Sequence, residues 1–114
     1  MEFTEHKPIY LQISDKICDR IVGDEWSADE RIPSVRELGA ELGVNPNTIM
    51  RTYDHLQNKD IIQNKRGVGY FVSTYAKEKI IAMQREQFLN EDLPELRKKM
   101  FQLGIDPCEL FNCK

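Results

Sequence analysis

The sequence predicts a mainly α-helical chain with one small β-hairpin, and three observations carry that prediction. Isoleucines recur every fourth residue from Ile9 to Ile21, and two short stretches after Pro33 each open on a helix-capping signal. The β-branched and aromatic run Ile61–Val72 is broken by Gly67-x-Gly69, as in a hairpin. A length of 114 residues allows one domain with at most a short appendage. With 40% hydrophobic and 31% charged residues the composition is that of a soluble globular protein. No stretch approaches the roughly 18 consecutive apolar residues of a membrane span. The start MEFTEHKPIY has no basic region followed by an apolar one, so a cytoplasmic, unprocessed protein is expected.

Each element has its own signal. Pro8 suits the first turn of a helix; Ile9, Ile13, Ile17 and Ile21 form a stripe widened by Tyr10, Cys18 and Val22, and Gly23 marks the end. After a polar connection, Ser34-Val-Arg-Glu37 has the form of a capping box, in which the hydroxyl and the carboxylate each satisfy an otherwise orphan amide. Val35, Leu38 and Leu42 give the helix that follows one apolar face, and Gly43 stops it. Asn45 and Pro46 then supply an N-cap and a proline at the first helical position of a third helix, which runs to about Asn58.

At 100° per residue this third helix separates Ile49, Tyr53 and Leu56 on one side from Asn47, Arg51, Asp54 and Asn58 on the other. Tyr53 is expected in the core, and Asp54 is expected to partner Arg51. Two short helices joined by a tight glycine-containing turn, the second with a polar outward face, describe a helix-turn-helix. The hairpin follows directly, with Lys65 and Arg66 beside its tip.

The last forty or so residues read as helical. Ala76, Ile80, Met83 and Phe88 suggest one helix to about Asn90, and Asp92-Leu-Pro-Glu95 resembles a second start, with Gly104 as its stop. Asp106-Pro-Cys-Glu109 opens a last short turn through Leu110 and Phe111. So short a segment cannot bury these apolar faces in a core of its own. Ile80, Met83, Phe88, Leu93, Leu96, Met100 and Leu103 are therefore the expected dimer interface, the alternative being that the helices fold back over the first one. The domain boundaries expected are 8–74 and 75–114.

The formal net charge is −3, which by itself disfavours a polyanionic partner. Its distribution reads differently: residues 1–30 sum to −5, residues 31–73 to +2 and residues 74–114 to 0. The acidic excess reads as a solvated helix face. Cys18, Cys108 and Cys113 match neither a zinc site nor a disulfide framework, and His6 and His55 are isolated, so no metal or cofactor is expected. There is no nucleophile elbow, phosphate loop or paired-histidine ligand motif to suggest an enzyme.

Four motifs together resemble a known family. Arg31-Ile-Pro-Ser-Val-Arg-Glu-Leu38, Leu42-Gly-Val-Asn-Pro-Asn-Thr-Ile49, Arg51-Thr-Tyr53 and Arg66-Gly-Val-Gly-Tyr-Phe-Val72 are similar, in order and spacing, to the winged helix-turn-helix of the GntR family of bacterial transcription regulators. The short helical C-terminal segment is similar to that of the YtrA subfamily, whose members are small dimeric repressors often encoded beside ABC transporter genes. Three positions depart from the pattern. Asp29 and Asp60 stand where the family usually has glycine, and aspartate tolerates left-handed backbone better than most residues. Gly39 replaces a usual alanine, at an expected cost to the second helix of about 1 kcal/mol.

The resemblance implies a sequence-specific DNA-binding regulator. The third helix would enter the major groove, with Asn45, Asn47 and Thr48 leading and Arg51 reading guanine. Arg36 would hold DNA at the groove, unless it pairs instead with Glu37 or Glu41. Lys65 and Arg66 would reach phosphates or the minor groove, with Gly67 and Gly69 allowing close backbone approach. One reading helix makes too few contacts, so a homodimer on a palindromic operator in double-stranded DNA is expected. A winged-helix protein-interaction module without DNA binding is the alternative. Any small-molecule effector is unspecified; a groove at the dimer interface would be its place.

Overall fold

The computed structural model describes residues 7–112. In chain order it contains α1 (Ile9–Val22), α2 (Val35–Leu42), α3 (Pro46–Asn58), β1 (Ile62–Lys65), β2 (Gly69–Val72), α4 (Ala76–Gln87), a π-helical turn (Phe88–Asp92), α5 (Leu93–Gln102) and α6 (Pro107–Phe111). This is a winged helix-turn-helix followed by helices. The chain divides into two compact units between Ile81 and Ala82. That division falls later than the expected boundary at residue 74, because Ala76 and Ile80 are buried in the core of the first unit. No helix among the described residues is long and apolar enough to cross a membrane. His6 and Cys113 lie outside the described residues.

In the first unit the apolar periodicity becomes packing. Ile13, Ile17 and Ile21 of α1 join Leu38 of α2 and Ile49, Tyr53 and Leu56 of α3 in one core with Ile61, Ile62 and Val72 of the hairpin. Ile9 is 46% exposed, so the buried stripe of α1 begins one turn later than the isoleucine repeat. Pro8 sits just before the helix instead of inside it, and its carbonyl accepts from the amides of Leu11 and Gln12.

The capping signals around the helix-turn-helix are realised. Ser34 Oγ accepts from the Glu37 amide at 3.1 Å, and the Glu37 carboxylate accepts from the Ser34 amide at 3.2 Å. Gly43 closes α2 in the left-handed conformation, φ 67°. Asn45 Oδ1 accepts from the Asn47 amide at 2.8 Å, with Pro46 in the first turn of α3. Gly39 has a use that helix propensity does not express. A Cβ at this position would lie 2.8 Å from the Val44 carbonyl oxygen, so the turn into α3 passes where an alanine methyl would stand.

Strands β1 and β2 are antiparallel, with Ile62 opposite Val72 and Lys65 opposite Gly69. The connection before α2, read from the sequence only as polar, lies along β2. Asp29 and Ile32 donate amides to the carbonyls of Val72 and Tyr70, each at 2.9 Å, and Arg31 bridges to Phe71. Trp26 and Ile32, isolated in that polar stretch, are buried with the core. Asp29 and Asp60 adopt φ of 65° and 59°, the left-handed turns expected where glycine is usual, and Asp29 also accepts from Thr74 Oγ1 at 2.9 Å.

In the second unit α5 begins directly after Asp92, where a helix start was expected, but without a cap. Asp92 is helical, φ −73° and ψ −43°, and its side chain makes no capping bond. Helical structure passes from α4 through the π turn into α5. Pro94 lacks an amide, and a wider turn immediately before it is one way a helix accommodates that gap without breaking. Asp106 does cap α6, accepting from the Cys108 amide at 3.0 Å.

Two outcomes test these local readings. Ser34→Ala should lower the stability of the first unit by about 1 kcal/mol in urea unfolding at neutral pH. Hydrogen bonds from the backbone and side chain of Ser34 hold the Glu37 carboxyl below its usual range. The capping box is therefore intact above the ordinary glutamate pKa and weakens as pH falls through the lower folded value, so the mutant's deficit should shrink in acid. Separately, burial, assisted by Asp15 and Asp19, pushes the Cys18 thiol up to about 11, whereas Cys108 is exposed. Iodoacetamide at pH 8 should modify Cys108 in the native protein and Cys18 only after unfolding, as peptide mapping would show.

Candidate nucleic-acid interface

The outward surface of α3 is polar because its apolar positions are used inward. Ile49, Thr52, Tyr53 and Leu56 are buried, while Asn47, Arg51, Asp54 and Asn58 are exposed. Tyr53 is fully buried, as its place on the apolar side predicted, and its hydroxyl donates to the Pro33 carbonyl at 2.6 Å. The edge of its ring meets Tyr70 of β2, centroids 4.8 Å apart. Burial pushes this phenol well above its usual pKa, so it stays a hydrogen-bond donor. The hairpin is thereby fixed against the third helix.

On its other flank α3 leans on α1. Thr52 Oγ1 donates to the Tyr10 carbonyl at 2.9 Å, with the Thr48 carbonyl at 3.1 Å as a second acceptor. The Arg51 guanidinium carbon lies 4.1 Å above the Tyr10 ring, and His55 meets the same ring edge-on at 5.9 Å. Burial, with Lys59 nearby, lowers the His55 pKa, so the ring is neutral at pH 7. The expected Arg51–Asp54 ion pair does not form: Arg51 uses the aromatic face instead. Pro8, Ile9, Tyr10, Asn47, Thr48 and Arg51 line a shallow groove of about 400 Å³ between the two helices.

The other site residues fall around this helix. Asn47 is exposed and Thr48 half-buried in the first turn of α3; Asn45 commits its side-chain oxygen to the cap. Arg36 is exposed on α2 and forms no ion pair among the described residues. Its alternative partners are engaged elsewhere, Glu37 in the capping box and Glu41 with Arg20 at 3.1 Å. At the hairpin, Lys65 Nζ lies 4.4 Å over the Phe71 ring and Arg66 is exposed in the turn. Gly67 has φ 80° with open space where a side chain would stand.

Gly69 has a close neighbour within the chain itself. A Cβ there would lie 2.9 Å from Arg31 Nε, so this glycine admits the Arg31 side chain beside the hairpin. Arg31 belongs to the first sequence motif, but nothing in its spacing says that it reaches the hairpin turn. Met50 is not among the sequence-predicted site residues. It is 42% exposed on the hairpin side of α3, with Tyr70 Oη 3.8 Å from its sulfur.

Two of the proposed dimer contacts are not on the surface: Ile80 is 1% exposed and Met100 6%. Ile80 instead completes the core of the first unit. Leu93 is half-buried, while Met83, Phe88, Leu96 and Leu103 are exposed. No group of histidine, cysteine and carboxylate side chains among the described residues is arranged to hold a metal ion.

A half-exposed polar helix braced by a second helix and flanked by a basic hairpin is the architecture of a winged-helix DNA-binding protein. Residues 9–72 match the family of bacterial regulatory proteins called gntR, and the chain belongs to it. The uncharacterised helix-turn-helix regulator YhcF of Bacillus subtilis is 38% identical over 96% of this chain and 88% of its own. The repressor YtrA of the same species is 34% identical, covering 87% of this chain and 75% of its own. A GntR-family regulator structure from Bacteroides thetaiotaomicron superposes with a TM-score of 0.79 at 43% identity, over 92% of this chain and 91% of that one. The protein is therefore a DNA-binding transcriptional regulator, in a family of regulators and not of enzymes.

Gly69 gives this surface a stability test. At φ 142° an added side chain is strained and also meets Arg31, whereas at Gly67 only the backbone angle is unfavourable. Gly69→Ala should lower urea stability by about 1–2 kcal/mol, and Gly67→Ala by less.

Proposed function

We propose that this regulator acts as a homodimeric repressor on a palindromic operator, its own upstream region being the first DNA to test. The observation that carries the reading is the state of its exposed cations. Arg36, Lys65 and Arg66 form no ion pairs among the described residues, although the chain as a whole is acidic. The acids of the first thirty residues are partly occupied by other cations: Asp15 by Lys7, Glu25 by Arg20, and Asp24 by Lys77. Cations left unpaired beside a polar reading helix suit a polyanion. Asn47 and Thr48 lead α3 into the major groove; Arg51 reads from its place on Tyr10; Lys65 and Arg66 take phosphates of the adjoining groove.

The dimer reading is supported by apolar side chains that the second unit leaves in water. Phe88 is 47% exposed, Leu96 43% and Leu103 72%, and these belong to the stripes proposed for self-association. Met83 is at their margin at 37%. Two chains would supply two reading helices, as a palindrome requires. The repressor sign is carried over from YtrA, whose name records it.

The test is a gel shift on the upstream region at two salt concentrations. Tight binding at low salt that falls steeply as salt rises is expected. Arg66→Ala should weaken it and reduce the slope of log affinity against log salt by about 1. Phe88→Glu with Leu96→Glu should yield monomers by light scattering and lose most of the affinity. A wild-type monomer at tens of micromolar, or binding indifferent to salt, would overturn the proposal.

A further inference from the structure

We infer that Met50 reads a thymine methyl group in the operator and that Tyr70 of the hairpin is the residue that positions it. This inference deepens the DNA-binding reading and rests on it.

Met50 is the single large apolar side chain exposed on α3, whose outward residues are otherwise polar. It lies three residues after Asn47, hence one turn further along the part of the helix that leads into the groove. In the major groove the thymine C5-methyl is the apolar feature of the base edges, and an apolar side chain is its complement. A thioether also makes a poor phosphate ligand, having no charge and no donor. Its use at such a surface is contact with something apolar.

The neighbouring contacts indicate a held side chain. Tyr70 Oη lies 3.8 Å from the Met50 sulfur, a weak hydrogen bond in which the phenol donates. The Tyr70 ring rests on Tyr53, which is tied to the Pro33 carbonyl at 2.6 Å. Two successive contacts, Tyr53 to Tyr70 and Tyr70 to Met50, thus connect the core of the first unit to the Met50 thioether. A methionine with three rotatable bonds ordinarily samples many rotamers, and anchoring its sulfur limits where its terminal methyl can go. The two flanks of α3 then differ in chemistry, with a guanidinium on the α1 side and a methyl on the hairpin side.

The experiment begins with selection of DNA from a randomised duplex library by the full chain. Each thymine in the selected sequence is then replaced in turn by deoxyuridine, which removes only the C5-methyl. Wild-type protein should lose about fourfold in affinity per half-site at one thymine position, the value of burying one methyl group. Met50→Ala should bind the thymine-containing DNA with a similar loss and be indifferent, within about twofold, to deoxyuridine there. Tyr70→Phe, which keeps the ring on Tyr53 and removes only the hydroxyl, should show an intermediate methyl sensitivity. A purely structural role for either residue would weaken binding equally on both DNAs and leave the wild-type methyl penalty in place. If Met50→Ala retains that penalty, or if no thymine position shows one, the inference is overturned while DNA binding stands. If selection enriches no sequence, the sequence-specific operator reading falls and this inference with it.

Discussion

The first unit depends on one buried phenol. Tyr53 is fully enclosed, and three parts of the chain distant in sequence meet at it: its own helix α3, the Pro33 carbonyl ahead of α2, and Tyr70 of β2. A hydroxyl so deep must be paired, because a buried donor without a partner costs more than the bond gains. The Pro33 carbonyl answers that need and in doing so sets where α2 starts relative to α3. The ring contact to Tyr70 sets where the hairpin stands. The hairpin is also held by its pairing with residues 29–32, by the apolar ends of its strands and by the Tyr70–Met50 contact.

The opposite flank of α3 is braced by different chemistry. Tyr10 presents a backbone carbonyl to Thr52, a ring face to Arg51 and a ring edge to His55, so one residue of α1 meets three of α3. A cation over an aromatic face keeps its in-plane N–H donors free for another partner, which an ion pair with Asp54 would not. A guanidinium held in this way is ordered before any ligand arrives, which lowers the entropic cost of using it.

Charge in this protein is arranged by location and pairing. The net value of −3 is set by the first thirty residues, yet Lys7, Arg20 and Lys77 are placed on acids of that segment. These exposed pairs add little stability. Their consequence is on the field: acids near basic partners present less repulsion to a polyanion, while Arg36, Lys65 and Arg66 form no ion pair among the described residues. Because exposed charges farther apart than about 8–10 Å are largely screened in physiological salt, such local differences count for more than the total.

Helix positions, both α2 and α3 caps, the hairpin and the inward and outward faces of α3 were legible in the sequence, because each depends on residues within a few positions of one another. The capping box of Ser34 and Glu37 and the left-handed turns at Asp29 and Asp60 are of this kind. So were the exposed arginines and lysines, with the family motifs that order them. The tertiary structure decided what depends on distant neighbours: that residues 29–32 pair with β2, that Gly39 and Gly69 make room for Val44 and Arg31, and that Ile80 belongs to a core. It also decided that Arg51 lies on Tyr10, and that Met50 stands exposed beside Tyr70. Periodicity records which side of a helix is apolar, but the partner each side chain meets is fixed only when elements far apart in the chain are packed together.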